Sequence, residues 1–483
     1  MRRLVLVVGN TAWDCKRAYT EPTLSVPILT ALLKDEFDLS VIDGNAKNIS
    51  KEDMLTAIRK TEAEMVLITA LSVEWHTCYH EVARIAKAAL ANCKVLMGGV
   101  YPTVSGDFVL QDKNVDYIML GYAEGRINRI IHLILNDSEL IENESGVGFR
   151  RNGRICINPI DTYIGDVEEM VQPDYSLEDL NPYLSEEKSD NAIVKREGSI
   201  ISSYGCPYNC VFCATRTISG RKVAFRPAED VLAEMEYLIN TYKIDSIRFL
   251  DDNILADKER AKIIFQEMIR RKYGIKFQLM NTAVWLLDKE MLDLMKRAGC
   301  YALTISIESG SKRVLRDIMH KPLDLEIVEP VVNMCKERDI YISANIVIGL
   351  PGETWNEILE TLAFVERCNP DFVQINIATV FPKTDLYDIA LKEKCLPENF
   401  SFYDDKTYYG FAVGHIETEE FTPEELMIIR AFEWDRINFT DAEKRKKFCQ
   451  FKGFSEEKLN QIRRESRRNL GLTYLSHRTD LKN

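Results

Sequence analysis

The sequence predicts an α/β protein that consists of two successive blocks of βα units and a mainly helical C-terminal segment. In both blocks, short apolar runs alternate with segments of helical periodicity, which is typical of parallel sheets covered by helices on both faces. From about residue 400 the pattern changes to a Tyr-rich stretch and then to charged helices. The 483 residues, 46% hydrophobic and 28% charged, suit about three globular domains and exclude a disordered or collagen-like chain.

The first block, residues 1–145, predicts a doubly wound, Rossmann-like domain. Sheets of this kind bind ligands at the carboxyl ends of their strands, so the residues that follow each strand are the candidates for a binding site. The predicted strands are residues 4–8, 39–42, 65–69, 94–97 and 117–120, and the predicted helices are residues 26–34, 51–60, 79–91 and 124–135.

Residues 146–195 predict a hairpin followed by a linker. Asn152-Gly153 lies between two strand-like runs, and this dipeptide favours the two-residue turn of a β-hairpin. Residues 158–195 are rich in Pro, Asp, Glu and Ser, and we interpret them as a linker.

The second block, residues 196–395, contains six βα units that form either a second open sheet or an incomplete barrel. In a barrel the chemistry lies at the carboxyl ends of the strands. Residues 396–483 follow as the helical C-terminal segment, with predicted helices at 423–438 and 456–470. The predicted strands of the second block are residues 199–203, 246–250, 276–280, 303–307, 342–348 and 373–377.

Charge and hydropathy exclude several classes of protein. The formal net charge of −13 disfavours a grip on a nucleic-acid backbone. No apolar run reaches the ~18 residues of a membrane helix, and the apolar run after Arg3 is too short for the core of a signal peptide. We therefore expect a cytoplasmic protein without a membrane span, whose twelve cysteines are reduced.

Three cysteines, Cys206, Cys210 and Cys213, have the spacing C-x3-C-x2-C directly after the predicted strand 199–203. Three thiols within eight residues favour a metal site. A structural zinc site normally uses four N or S ligands, and no second cysteine pair or nearby His follows. An iron–sulfur cluster held by three cysteines leaves one iron open for a non-protein ligand. The spacing therefore favours the cluster over zinc.

This triplet, with an aromatic residue before the third cysteine, resembles the signature of the radical S-adenosylmethionine (SAM) family, and the resemblance covers most of residues 196–390. It implies a partial (β/α)6 barrel, a [4Fe-4S] cluster on the three cysteines, and SAM bound to the open iron as the source of a 5′-deoxyadenosyl radical. Several segments also permit simpler interpretations, such as a helix N-cap, a solvated strand or a turn. The residues that the resemblance assigns to SAM binding are Phe212, Asp251, Asp252, Ser306, Glu308, Asn345, Gly349 and Pro351.

The first block resembles the cobalamin (B12)-binding domain that precedes the barrel in one radical SAM subfamily, the class B methyltransferases among them. Glycines at strand ends carry this resemblance, since backbone there approaches a large planar cofactor closely. The cobalt-ligating motif D-x-H-x-x-G is absent, so we expect no protein His on cobalt and interpret His76 and His80 as helix-surface residues. The residues assigned to cobalamin binding are Thr11, Pro22, Thr69, Ser72, Gly98, Gly99, Tyr101, Pro102, Glu124 and Gly125.

The resemblance implies methylation of an unactivated carbon of a small-molecule or natural-product substrate through a radical and methylcobalamin. Ring formation or rearrangement with the same cofactors is the alternative, and a zinc-stabilised binding module is a third hypothesis. A flavodoxin, a ferredoxin or a reductase is the expected electron donor, and no nucleic acid is expected as a partner. Residues 402–411 and 432–439 are candidate walls of the substrate pocket, although core packing explains them equally well.

Overall fold

The computed structural model describes residues 1–13, 15, 18–167, 170–184, 191–404 and 411–467. Two large parallel sheets, each covered by helices, follow one another along the chain. The strands are β1 (Arg3–Val8), β2 (Asp38–Asp43), β3 (Met65–Thr69), β4 (Lys94–Gly98), β5 (Tyr117–Met119), β6 (Val147–Arg151), β7 (Arg154–Ile157), β8 (Glu197–Ile200), β9 (Ser203–Tyr204), β10 (Ala224–Phe225), β11 (Ser246–Phe249), β12 (Lys276–Thr282), β13 (Cys300–Glu308), β14 (Tyr341–Ile348) and β15 (Phe372–Ile377).

Helices follow most strands and pack on the faces of the sheets. Among the described residues no helix combines the length and the apolar character needed to cross a membrane. The α-helices are α1 (Ser25–Leu33), α2 (Lys51–Thr61), α3 (His76–Ala89), α4 (Val100–Val109), α5 (Ile127–Leu135), α6 (Thr215–Ser219), α7 (Ala228–Tyr242), α8 (Lys258–Arg270), α9 (Lys289–Ala298), α10 (Val328–Glu337), α11 (Trp355–Cys368), α12 (Asp385–Lys392), α13 (Pro423–Phe439), α14 (Ala442–Lys452) and α15 (Glu456–Arg467).

The first sheet has the strand order β2-β1-β3-β4-β5-β6-β7, with β1 to β5 parallel. This is a flavodoxin-like order, in which ligands bind where the order reverses, between β1 and β3. The predicted hairpin is confirmed: β6 and β7 pair antiparallel and extend this sheet at its edge. Asn152 and Gly153 have φ values of 50° and 76°, as the primed turn requires.

Helix α4 was missed by the sequence prediction, which placed no helix between residues 91 and 124. Its first residue directly follows Gly99, which is the N-cap. The sequence Val-Tyr-Pro-Thr-Val-Ser-Gly gives a weak helix signal because Pro and Gly are poor formers, and Ser105 is indeed kinked. Proline is tolerated here because Pro102 lies in the first turn, where its missing N–H costs nothing.

The second sheet contains six parallel strands in the order β8-β11-β12-β13-β14-β15, an incomplete barrel whose two edge strands do not meet. The predicted single strand 199–203 is wrong, because β8 ends at Ile200 and β9 pairs with β10 instead. The amide of Ser202 donates to the Asp251 carboxylate, and its carbonyl accepts from Arg226 and Arg260. These bonds leave no ladder partner free at that position.

The lumen of the barrel is polar. On β14 the even-numbered residues from Ile342 to Ile348 are fully buried, whereas Ser343, Asn345 and Val347 are only half-buried. Because side chains alternate between the faces of a strand, the first set packs beneath the helices and the second faces the lumen. Strands β13 and β15 repeat this pattern, so the lumen offers hydroxyl and amide groups to a ligand; the corresponding positions are Thr304, Ser306, Gln374 and Asn376.

Helix α13 covers the edge strand β15. Asn438 bonds both the amide and the carbonyl of Val373, and Arg430 donates to the carbonyl of Ile375. Phe439 packs with α14 residues in a small core. Residues 432–439 thus lie on the helix that protects an exposed sheet edge, as the core-packing interpretation expects. Residues 405–410 of the Tyr-rich stretch and 468–470 of the predicted last helix lie outside the described residues.

Candidate functional site

The three cysteines lie on one loop, residues 206–213, here named the Cys loop, which follows β9 and precedes α6. Asp252, at the carboxyl end of β11, holds both ends of the loop: it accepts from the Gly205 amide at 3.0 Å and from the Thr215 hydroxyl at 3.1 Å. Cys213 is exposed, and Cys206 and Cys210 are half-buried. The loop therefore presents its thiols at the open carboxyl end of the strands, here named the barrel mouth.

Contacts with distant segments fix the middle of the Cys loop. The Val211 amide donates to the carbonyl of Met319 at 3.2 Å, and the Val211 carbonyl accepts from the Leu386 amide at 2.9 Å. The Tyr208 hydroxyl accepts from the Trp285 indole N–H at 2.7 Å. The loop is thereby held in position independently of its cysteine side chains.

The protonation of the thiols is consistent with a metal site in which the metal displaces the thiol protons. Burial raises the pKa of Cys206 and of Cys210 to about 11, so both are protonated at neutral pH until a metal displaces the proton. In the described part of the chain, no three Cys, His, Asp or Glu side chains gather around a single ion position. Three sulfur donors on one loop fit an iron–sulfur cluster that uses one thiolate per iron.

The predicted SAM residues divide into two groups. Asp251 is buried and accepts from the Ser202 amide and from the hydroxyls of Ser202 and Ser203, so its visible role is to fix the crossing between β8 and β9. Asp252 is exposed beside the Cys loop. The alternative in which Asp251 caps a helix and Asp252 lies in its first turn is wrong, since Asp257 caps α8. Their contacts with SAM remain a prediction.

Glu308 ends β13 in an unusual conformation. Its φ of 69° is left-handed, and the register with β14 shifts between Ser306 and Glu308. Its carboxylate lies 3.5 Å from the ammonium of Lys321, and both side chains are buried. Burial raises the pKa of Glu308, while Lys321 acts in the opposite direction. Sequence reasoning missed Lys321 and Trp285, because neither belongs to a motif.

The segment that includes Gly349 and Pro351 forms a tight turn after β14. Gly349 has a φ of 87°, and its amide donates to the Glu353 carboxylate at 2.7 Å. The Leu350 amide donates to the same carboxylate at 3.1 Å. Asn345 lies upstream on the lumen side of β14, and Phe212 is half-buried beside the thiols. The predicted residues after β11, β13 and β14 thus all lie at or below the barrel mouth.

A cavity of about 320 Å³ lies between the carboxyl end of the first sheet and the barrel; we name it the interdomain cavity. Its walls are mostly apolar. Four of the predicted cobalamin residues line it, namely Thr69, Gly98, Gly99 and Glu124. The other predicted residues are not among its lining residues: Thr11, Pro22, Ser72, Tyr101, Pro102 and Gly125.

Three of the predicted residues outside the lining, Thr11, Ser72 and Tyr101, have local structural partners. Thr11 bonds to Asn45, and Ser72 caps the short helical turn that follows it. The Tyr101 hydroxyl bonds His80, which in turn contacts Asp112. His80 is thus engaged in contacts within the first domain.

Other lining residues were missed by sequence reasoning. Tyr122 and Tyr204 contact edge to face, and the Tyr122 hydroxyl bonds Ser219 at 3.0 Å. Ser25 bonds Thr69 at 2.7 Å. The barrel contributes Ile201, Tyr204, Ile218 and Leu250 to the wall. No local signal marks these residues, because the second domain closes the cavity only in the folded chain.

Two family models match the two parts of the site. The model described as "Radical SAM superfamily" matches residues 200–365, and that described as "B12 binding domain" matches residues 15–131. The chain therefore contains a radical SAM domain. A B12 binding domain lies in front of it.

Proteins similar to this chain include methyltransferases and a cyclase. An uncharacterized methyltransferase of Pyrococcus horikoshii is 28% identical over 82% of this chain and 84% of its own length. The anaerobic magnesium-protoporphyrin IX monomethyl ester cyclase of Cereibacter sphaeroides is 22% identical over 76% of this chain and 59% of its own. The methyltransferase TsrM from Kitasatospora setae, solved with cobalamin and a [4Fe-4S] cluster, has the same fold, with a TM-score of 0.66, 19% identity and coverage of 82% of this chain and 76% of TsrM.

Proposed function

We propose that this enzyme methylates an unactivated carbon of a small-molecule substrate, with a [4Fe-4S] cluster, SAM and cobalamin as cofactors. The observation that carries the proposal is that the Cys loop begins directly beside the wall of the interdomain cavity. Tyr204 lines the cavity two residues before Cys206, and Leu250 lines it two residues before Asp252, which holds the Cys loop. Two cofactors bound at these places would face the same substrate space.

Each part of the chain has a role in this proposal. Cys206, Cys210 and Cys213 bind the cluster, and Asp252 positions their loop. Ser306 and Asn345 offer polar groups of the lumen to SAM. When bound, the cluster and SAM supply a hydrogen-abstracting radical and cobalamin supplies the methyl group; the protein orients the substrate and excludes water.

Two lining residues support cobalamin as a ligand of the interdomain cavity. Gly99 has a φ of 109°, and a Cβ atom at this position would lie 2.5 Å from the carbonyl oxygen of Ala70. Only glycine therefore keeps this wall in its observed shape. Glu124 is buried in the lining, and burial raises its pKa. Burial thus favours the protonated form, which can donate a hydrogen bond to an amide group of the cofactor.

The remaining parts of the proposal concern the surroundings of the enzyme. A flavodoxin, a ferredoxin or a reductase delivers the electron, and the protein acts in the cytoplasm, where its cysteines stay reduced. Ring formation with the same cofactors is the second candidate, since one of the similar proteins is a cyclase.

The test is anaerobic reconstitution of the full chain, followed by turnover of a metabolite extract with methyl-labelled SAM. We expect about four iron and four sulfide per chain, bound cobalamin, 5′-deoxyadenosine, and the label in a methylated product. 5′-Deoxyadenosine without a labelled product would favour ring formation. A colourless protein that binds zinc would refute both.

A further inference from the structure

We infer that Lys321 is a positioning residue whose charge makes the iron–sulfur cluster easier to reduce. This inference rests on the proposed function, because it presupposes a cluster on the Cys loop. Nothing in the sequence marks Lys321, and its place in the fold depends on contacts between distant segments.

The backbone around Lys321 departs from regular structure at three places. Glu308 is left-handed at the end of β13, where the register shifts. Residues Val314–Ile318 form a π-helical turn, a rare element that occurs frequently at functional sites. His320, directly before Lys321, is left-handed with a φ of 55°. Non-glycine residues in this conformation cost free energy, so the surrounding structure must enforce it.

These departures bring two opposite charges together in a buried place. The Lys321 ammonium lies 3.5 Å from the Glu308 carboxylate, and each side chain is less than a tenth exposed. At 3.5 Å the pair is long for a charge-assisted hydrogen bond.

Two contacts hold Lys321 against the Cys loop. On one side, the carbonyl of Met319 accepts from the Val211 amide, which lies between the second and third cysteines. On the other side, the ammonium lies 5.5 Å from the centre of the Trp285 ring, and the Trp285 indole donates to Tyr208, between the first and second cysteines. Contacts on both sides of Lys321 thus hold its charge next to the Cys loop.

A fixed positive charge beside the Cys loop favours an added electron on a cluster bound there, because the electron increases the negative charge at that place.

The step concerned is the transfer of one electron from an external reductant to the oxidised cluster, with no bond formed or broken. Dithionite takes the place of the flavodoxin or ferredoxin in the test. The full chain is reconstituted anaerobically without SAM, and the reduced fraction is read by electron paramagnetic resonance at fixed ambient potentials. Working without SAM separates this effect from any contact of Lys321 or Glu308 with SAM.

For Lys321→Met we expect the ratio of reduced to oxidised cluster to fall about tenfold, equivalent to 59 mV for a one-electron couple. Lys321→Arg keeps the charge and should restore most of the ratio. Glu308→Gln removes the opposing charge and should raise it. Lys312→Met is the control, because Lys312 pairs with Glu326 on the surface, and its ratio should equal that of the wild type.

Each outcome bears on one statement only. If the wild-type chain takes up no iron and sulfide, the proposed function fails. If the wild type and Lys321→Met carry the same cluster with the same ratio, this inference alone is overturned. Should Lys321→Met lose its cluster, Glu308→Gln decides: a raised ratio supports the inference, and an unchanged or lowered ratio overturns it.

Discussion

The interdomain cavity and the barrel mouth lie at equivalent places in their sheets but have opposite chemistry. Both are at the carboxyl ends of parallel strands, where such folds bind ligands. The cavity is mostly apolar, and Glu124 is the only acidic side chain among its described lining residues. The mouth gathers three thiols with Asp252, Glu308 and Lys321. Topology thus decides where a ligand binds, whereas side chains decide which one.

The difference predicts how each site fails. At the barrel mouth, function depends on particular atoms, so removal of one side chain should abolish it. At the interdomain cavity, function depends on empty space beside the backbone, so an added side chain should do the greater harm. Substitutions that remove atoms and substitutions that add them therefore separate the two sites.

The largest effect is expected for Cys210→Ala at the barrel mouth. Loss of one of three sulfur ligands should lower SAM cleavage at least about 100-fold, more than the loss of a supporting residue does. Iron and sulfide content should fall with it, while cobalamin content stays at the wild-type level because the cavity is untouched. The measurements are iron, sulfide and cobalamin per chain and the rate of 5′-deoxyadenosine formation.

Cys156→Ala provides the control for this substitution, since Cys156 lies on β7 of the first sheet and is half-buried like Cys210. It should leave all four measurements unchanged. Normal 5′-deoxyadenosine formation by Cys210→Ala would remove Cys210 from the ligand set.

The next effect is expected for Gly99→Val at the interdomain cavity. The new side chain meets the Ala70 carbonyl oxygen at 2.5 Å and must adopt a left-handed φ. Strain and overpacking together should cost about 3 kcal/mol of the free energy of unfolding. Cobalamin retained after desalting should fall steeply, whereas iron and sulfide stay near the wild-type content.

The matched control is Gly153→Val at the tip of the hairpin, where φ is 76° and a Cβ atom meets nothing within 4 Å. It carries the conformational strain without the clash, so it should keep its cobalamin. Equal loss of cobalamin from both variants would show that the shape of the cavity wall at Gly99 does not matter.

The sequence was sufficient for the features that depend on local patterns. The Cys loop was predicted because its three ligands lie within eight residues, and the strand β3 because a continuous apolar run specifies a buried strand. Helix α4 was missed because Gly and Pro conceal its helical signal. Trp285 was missed because it meets Tyr208 across 77 residues, a contact that only folding creates.

A smaller, pH-dependent effect is expected at the turn that follows β14. Burial raises the pKa of Glu353 to about 7, so the folded chain binds its proton more tightly than the unfolded chain does. The contribution of the Glu353 proton to the free energy of unfolding is complete below the pKa of the unfolded chain. It is lost as the pH rises through the pKa of the folded chain, by about 3 kcal/mol in all. Glu353→Gln stays neutral and keeps an oxygen for the Gly349 and Leu350 amides.

Denaturant unfolding of the full chain under reducing conditions at pH 5 and pH 8 tests this directly. The variant should exceed the stability of the wild type slightly at pH 5 and by a larger amount at pH 8. A variant that is less stable at both values by the same amount would mean that Glu353 is ionised throughout and that its charge supports the turn. Cobalamin retention should not change in Glu353→Gln, because Gly349, Leu350 and Glu353 do not line the interdomain cavity.

The smallest effect is expected for Lys383→Met, which acts on the contact between the two sites. Its ammonium donates to the Thr103 carbonyl on α4 at 3.0 Å, so it links the barrel to the helix whose first residue, Val100, lines the cavity. Loss of this bond should cost about 1 kcal/mol and should weaken cobalamin retention slightly without loss of iron. Lys394→Met is the control, because Lys394 is likewise exposed and left-handed. If both variants retain cobalamin as the wild type does, the link is dispensable and each site keeps its shape alone.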